Sequence, residues 1–384
     1  MEKTNKFIHF GCWNNLNTKK NKQIGCLNNV MTQISQYIET EPVNFMIVAG
    51  DNYYPDKNVV NGKKQKFIYQ TLMENGFKQL PKTLPIYMIL GNHDLETNTT
   101  KQKLFVENLS TPEKGDCAII NYQKQIVNNI SSKNVDYLLF KDIMLNNDTL
   151  LLMIDTSMYS NDVDNFLPCY NIFLERNFAD SNELMEYQNN LIMEAITSNY
   201  SSVKNIIISG HHPITGVKYE DPDEETGETV GKIKILNDIP YFRDLLKKIY
   251  EKMTQLTGQN STRYYYLCAD LHLYQKGKIY LPIDETNNME ITQYVAGTGG
   301  TKLDNDIPKE NIGRSFESDG IRYLLEDCIK SCGFLECLVN EEPIFKFISV
   351  SSGGRKKITR KRRGFFSRNS RNSKTRKSRK SRKR

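Results

Sequence analysis

The sequence predicts an α/β protein in which two sheets pack together with helices outside. Three observations carry this. Apolar runs rich in branched and aromatic residues end at or just before glycine: 45–49 before Gly50, 86–90 before Gly91 and 206–208 before Ser209-Gly210. Runs of that length read as buried strands. Helical periodicity separates the early runs, as in βαβ units, whereas the last third of the chain is rich in strands. Finally, the chain has five histidines, and four of them (His93, His211, His212, His272) stand just beyond a run. That places polar chemistry at the carboxyl edge of parallel strands, where open α/β folds put their sites.

The elements follow in order. A strand over 7–10 precedes a helix over about 23–39, where Ile24, Leu27, Met31, Ile34 and Ile38 share one face. A second strand ends at Gly50, a helix is expected over 64–80, and a third strand ends at Gly91. Residues 95–148 are polar and Asn-rich and read as a long, loop-rich insertion. Next come a strand over 150–154, a helix over 183–197 and a strand over 203–209. The stretch 219–235, with Asp221-Pro222-Asp223-Glu224-Glu225, reads as a mobile acidic loop. A helix over 241–256 and strands over 264–268, 278–281, 291–295 and 344–350 complete the body.

Charge divides the chain. Residues 355–384 hold 17 Lys or Arg and no acid, leaving 35 basic against 45 acidic residues in the other 354. The expected organisation is one domain over 1–352 and a disordered basic tail over 353–384, which has too little apolar area to fold. Three uses of the tail stay open: polyanion or nucleic-acid binding through phosphate contacts, a nuclear-localisation signal at Arg360-Lys361-Arg362-Arg363, and a solvated tail folded back on the acidic body. No apolar run approaches the ~20 residues that span a bilayer. The first residues carry no apolar segment of a signal peptide, so an intracellular, cytoplasmic or nuclear chain is expected, a virion being the alternative for a viral chain. Its eight cysteines are then expected as thiols. Cys328, Cys332 and Cys337 read as packing residues on helical or irregular structure.

The strings Gly50-Asp51-Asn52-Tyr53-Tyr54, Gly91-Asn92-His93-Asp94, Gly210-His211-His212-Pro213 and Asp270-Leu271-His272, in this order, resemble the calcineurin-type metallophosphoesterases, and within them the small purple acid phosphatases. Leu152-Met153-Ile154-Asp155-Thr156 and the Gly-rich turn after Gln293-Tyr294-Val295-Ala296 are similar to that branch as well. The resemblance, over roughly 5–350, implies a four-layer αββα sandwich of two packed mixed sheets. It also implies two metal ions, drawn from Fe, Zn and Mn, held ~3.5–4 Å apart around an activated water that attacks a phosphorylated substrate.

By motif position, Asp51 resembles the carboxylate that bridges both ions, and Tyr54 the phenolate ligand of the first; the alternative for Tyr54 is a ring packed at the sheet edge. Asn92 and His211 resemble ligands of the second ion, and His272 a ligand of the first. His93 resembles the unliganded histidine that faces substrate and protonates the leaving group. His212 either faces the phosphate too or is a loop histidine, and Asp94 either orients its neighbours or caps a turn. His9 is read as structural. Two positions depart from the family: Cys12 stands where an Asp ligand is expected, and Asp270 where a His is expected. Thiolate and carboxylate are both competent ligands, the former favouring zinc or iron. Two functions follow: a metal-dependent phosphomonoesterase, or a phosphatase-like binding protein without turnover, tethered to a polyanion by its tail.

Overall fold

The computed structural model describes residues 5–14, 16–17, 22–23, 26–52, 59–60, 63–64, 76–95, 135–222, 231–258 and 261–350. Twenty strands and five α-helices appear among them. The strands are β1 (Asn5–Phe10), β2 (Leu16–Asn17), β3 (Lys22–Gln23), β4 (Phe45–Ala49), β5 (Val59–Val60), β6 (Lys63–Lys64), β7 (Ile86–Ile89), β8 (Val135–Leu138), β9 (Phe140–Asn146) and β10 (Thr149–Ile154). They continue as β11 (Asn205–Ser209), β12 (Gly216–Glu220), β13 (Lys232–Leu236), β14 (Arg263–Cys268), β15 (Tyr274–Pro282), β16 (Asn288–Ala296), β17 (Ser315–Ser318), β18 (Ile321–Ile329), β19 (Gly333–Val339) and β20 (Pro343–Ser349). The helices are α1 (Leu27–Thr40), the single turn α2 (Asn92–Leu95), α3 (Val163–Leu174), α4 (Ser181–Asn199) and α5 (Phe242–Thr257).

Two mixed sheets result, in the order β20-β19-β1-β4-β7-β8 and β17-β18-β15-β16-β14-β11-β10-β9, with three small two-stranded hairpins beside them. The run β1-β4-β7-β8 is parallel, as are β10-β11-β14-β16. The remaining neighbours are antiparallel. Alternate residues of each strand point to opposite faces. Phe7, Ile47 and Ile89 of the first sheet therefore share one buried cluster with Leu151, Met153, Ile207 and Leu267 of the second. This is the inter-sheet core. The opposite faces carry Ile8, Phe10, Met46 and Val48, clustered with Leu27, Val30, Met31 and Ile34 of α1. On the other side, α4 packs against α5, β9 and β10. Strands buried on both faces explain why β10, β11 and β14 read as continuous apolar runs. The arrangement is consistent with the αββα sandwich.

Local signals fix the helix ends. Asp180 caps α4 by accepting from Glu183 N at 3.0 Å, and Glu183 Oε2 in turn accepts from Ala179 N at 2.7 Å. Gly258, at φ 74°, ends α5 in the left-handed conformation.

Several expectations need correction. The first helix begins at Leu27, because Cys26 occupies its N-cap and Lys22–Gln23 is a short strand. The expected helix over 64–80 falls largely outside the described residues; its described end is a 3-10 turn, Phe77–Gln79. The end of the loop-rich insertion forms β8 and β9, which close one edge of each sheet. The acidic loop is bounded by a hairpin, with β12 and β13 paired from Gly216–Leu236 to Glu220–Lys232; residues 223–230 lie outside the description. Strands β17 to β19 and helix α3 were not expected. Cys328 and Cys337 lie on β18 and β19, so their cluster is strand rather than helix. Cys332 is no thiol: it forms a disulfide with Cys26, and Cys169 is disulfide-bonded too. The tail, 353–384, lies outside the described residues.

Candidate metal centre

Carboxyl ends of strands from both sheets meet at one rim. β1 delivers Cys12, β4 Asp51, and β7 Asn92 and His93; β10 delivers Asp155 and Thr156, β11 His211 and His212, and β14 Asp270 and His272. The backbone there is unusual. Five described non-glycine residues have positive φ, and three are Cys12 (52°), Asp51 (55°) and Asp270 (59°). A left-handed residue with a Cβ costs roughly 1–2 kcal/mol, and such strain gathers at functional sites. Here it turns three donor side chains off their strands into one space.

The donors form two groups that share Asp51. Cys12, Asp51 and His272 offer atoms within 4.8 Å of one another, and so do Asp51, His211 and Asp270. The thiol of Cys12 lies 3.6 Å from Asp51 Oδ2. The ring of His211 is oriented from behind: Nδ1 is 2.7 Å from the carbonyl of Ala49 and donates to it. That leaves Nε2 facing Asn92 Oδ1 at 3.2 Å, Asp51 Oδ1 at 3.3 Å and Asp270 Oδ1 at 3.6 Å. Three oxygens converging on one ring nitrogen need positive charge between them, from a proton on Nε2 or from a cation. A backbone carbonyl that fixes the far nitrogen is the usual support of a metal-ligating imidazole. Gly50 makes the close approach feasible: its φ is 80°, and a Cβ would overlap the His211 ring.

Electrostatics agree with this geometry. Burial opposes charge on His211, but the carboxylates of Asp51 and Asp270 hold its pKa well above the ordinary range. Burial pushes the Asp270 carboxyl up, and the hydrogen bond from His211 together with the electrostatic pull of His211 and His212 outweighs it, for a net lowering. Burial and the same two carboxylates push the Cys12 thiol up. Without a cation the site thus traps protons on groups that would otherwise be ligands. The donor set of one thiol, two carboxylates, two imidazoles and one amide oxygen fits a pair of transition-metal ions.

Hydrogen bonds behind these side chains tie the loops together. Asp94 accepts from Asn52 N and Gly91 N and from the Asn52 side-chain amide, each at 2.9 Å. It therefore orients its neighbours and welds the Asp51 loop to the Asn92 loop. Burial and nearby Asp51 raise its pKa to about 7. Trp13 Nε1 donates to Asn52 Oδ1 at 3.1 Å. Asp304 Oδ2 accepts from His272 N at 2.9 Å, and its Oδ1 pairs with Lys218 of β12 at 2.9 Å. Thr156 Oγ1 accepts from the backbone N–H of His211 and of His212. Its own proton is left for His212 Nδ1, 3.0 Å away, so His212 carries hydrogen on Nε2. Burial and the neighbouring His211 keep His212 neutral, with its pKa down to about 4.

Of the residues singled out from sequence, Cys12, Asp51, Asn92, His211, Asp270 and His272 come together, with His93 and His212 beside them. His93 is half-buried at the start of α2, and its N–H is 3.3 Å from Asp51 Oδ1. Tyr54 lies outside the described residues. His9 is buried within β1, and neither ring nitrogen has a hydrogen-bond partner among the described residues. Sequence reading missed Asn52, Thr156, Asp304 and Lys218 as supports; Asn52 and Thr156 sit inside motifs already quoted, and that adjacency was the available signal.

A family model described as calcineurin-like phosphoesterase matches residues 5–242, more than half of the chain. No curated protein matches the chain.

Proposed function

The chain belongs to the calcineurin-like phosphoesterase family, and on that premise we propose that it is a metal-dependent hydrolase of phosphate esters with a dinuclear centre, acting on phosphomonoesters like the purple acid phosphatases. The observation that carries this is the pair of donor groups sharing one carboxylate, Asp51. Cys12, Asp51 and His272 would hold one ion, with Tyr54 expected beside them; Asp51, Asn92, His211 and Asp270 would hold the other. When bound, the ions supply Lewis acidity toward the phosphate and a water acidic enough to attack at neutral pH.

The chain's own residues do the rest. His93, not required as a ligand, gives a proton to the departing alkoxide oxygen, work suited to an imidazole near neutral pH. Neutral His212 offers its Nε2–H to a phosphoryl oxygen, and Thr156 holds that tautomer. The left-handed backbone of Cys12, Asp51 and Asp270 fixes the donors before substrate arrives, so little reorganisation remains in the transition state. Replacement of a family Asp by Cys12 and of a family His by Asp270 keeps a donor at both positions, which supports turnover over a scaffold.

Hydrolysis of an aryl phosphate after loading with iron, zinc or manganese tests the proposal. Activity with at least one metal is expected, with a fall of about 10²–10⁴-fold in His93→Ala and a larger one in Asp51→Asn. A chain inert with all three contradicts it and leaves the second reading: a binding protein held on nucleic acid or another polyanion by residues 355–384, which the division of charge favours.

A further inference from the structure

Cys26 and Cys332 are 306 residues apart in sequence, yet they form a disulfide with a Cα–Cα distance of 6.4 Å. Cys26 is the N-cap of α1, and Cys332 lies between β18 and β19. Both flank the turn 297–301 that follows β16. Cys26 N donates to Gly300 O at 3.2 Å, Gly333 N donates to Thr298 O at 3.0 Å, and Thr298 Oγ1 donates to Gly333 O at 3.0 Å. The other side of the same turn holds the residues that present Cys12: Gly299 N donates to Gly11 O at 3.0 Å, and Thr301 N to Cys12 O at 3.1 Å. The contact is close enough that a Cβ on Gly299 would stand 2.6 Å from Gly11 O. A continuous path of covalent and hydrogen bonds thus runs from the disulfide to Cys12, whose φ of 52° is uncommon for a residue with a Cβ.

The second half of the centre is held differently. Asp51 and Asn92 are fixed through Asp94, and His211 through Ala49 and Thr156. None of these bonds passes through the turn 297–301, which touches this half where Gly297 packs on the backbone of Ala269 and Leu271 beside Asp270.

We propose that the Cys26–Cys332 disulfide is a positioning element of the metal centre, clamping the 297–301 turn so that Cys12 stays aimed at Asp51 and His272. Metal affinity of the Cys12 half then depends on the thiol–disulfide state of two residues that touch no ion, while the His211 half does not. A dithiol reductant releases the clamp: the S–S bond breaks, two electrons and two protons pass to Cys26 and Cys332, and the dithiol closes to a cyclic disulfide. Cys12 remains a thiol throughout. The inference deepens the metal-centre reading and rests on it.

The test compares the oxidised full chain with Cys26→Ser/Cys332→Ser, using Zn²⁺ and Mn²⁺ as probes in equilibrium dialysis. The double variant should keep one ion at parent affinity and bind the other at least tenfold more weakly. Cys12→Ser in the oxidised chain should weaken the same ion. Cys12→Ser added to the double variant should weaken it little further, because residues acting through one path are not additive. Mapped alkylation by N-ethylmaleimide reads the clamp without metal: Cys12 should be protected in the oxidised apo chain and labelled in the folded double variant. A disulfide that served global stability alone would lower the melting temperature and leave both ion affinities and the labelling of Cys12 at parent values, and that result overturns the proposal. Should the double variant fail to fold, the parent treated with a phosphine reductant replaces it in both assays. In a chain that binds neither probe the metal-centre reading fails; the alkylation contrast still decides the clamp, unchanged labelling sinking it.

Discussion

Asp270 concentrates the energetics of the site: it is acidic, close to a second carboxylate and held at φ 59°. Asp270→Gly relieves the backbone by roughly 0.5–1 kcal/mol once glycine's greater freedom when unfolded is counted, but it removes a carboxylate that faces the protonated His211 ring at 3.6 Å. Losing one partner of a buried charge pair costs more than the backbone gains, so a net destabilisation of the metal-free protein is expected. Thermal unfolding in a chelator checks this, and loss of metal binding should accompany it. His9 makes the opposite case. Burial without a partner lowers its pKa from 6.5 to about 3. The folded state therefore requires the neutral ring, whereas the unfolded chain takes up a proton below pH 6.5. Stability is full above that pH and falls as pH drops toward 3, by about 2 kcal/mol at pH 5. Urea midpoints at pH 7 and pH 5 should show this loss in the parent and a smaller one in His9→Met. The residues that cluster at the candidate site were legible, because scarce histidines and acids stand just beyond apolar runs. Their supports were not: Asp304 reaches His272 across 32 residues by a backbone hydrogen bond that no motif records.

Strands announced themselves wherever both faces are buried, as in β10 with six consecutive buried residues. Elements were missed where that signal weakens. Helix α3 carries Pro168 in its interior together with Asp164 and Asn165, a composition that reads as loop. Strands β12 and β13 alternate lysine with apolar residues and flank an acidic stretch, so charge hid the period of two. Asp94, in the single turn α2, is the joint between two loops. Asp94→Ala leaves the buried amides of Asn52 and Gly91 without acceptors, so a loss of about 2–4 kcal/mol is expected, seen as a lower denaturation midpoint. Asp94→Asn, which keeps one acceptor oxygen, should lose less.

At the scale of the whole molecule, two packed sheets followed from the order of elements, but the joining of chain ends did not. Cys26 and Cys332 have no local signal for pairing, and the expectation of thiols rested on the compartment rather than on distance. Closing a loop of 306 residues should stabilise the fold by about 6 kcal/mol in the chain-entropy account. The tail is the other feature of this scale. Removal of residues 355–384 should abolish retention of the protein on immobilised DNA or RNA in low salt, and retention of the full chain should fall steeply as salt rises. Equal retention with and without the tail would refute polyanion binding by that segment. The candidate metal centre gathers strands from both sheets and so tests the fold and the proposed function together. Metal analysis of the full chain after loading with zinc or manganese and removal of free ions should return two ions per chain, and Asp51→Asn should return fewer. A correctly folded chain that retains no ion contradicts the metal centre, and with it the proposed hydrolase.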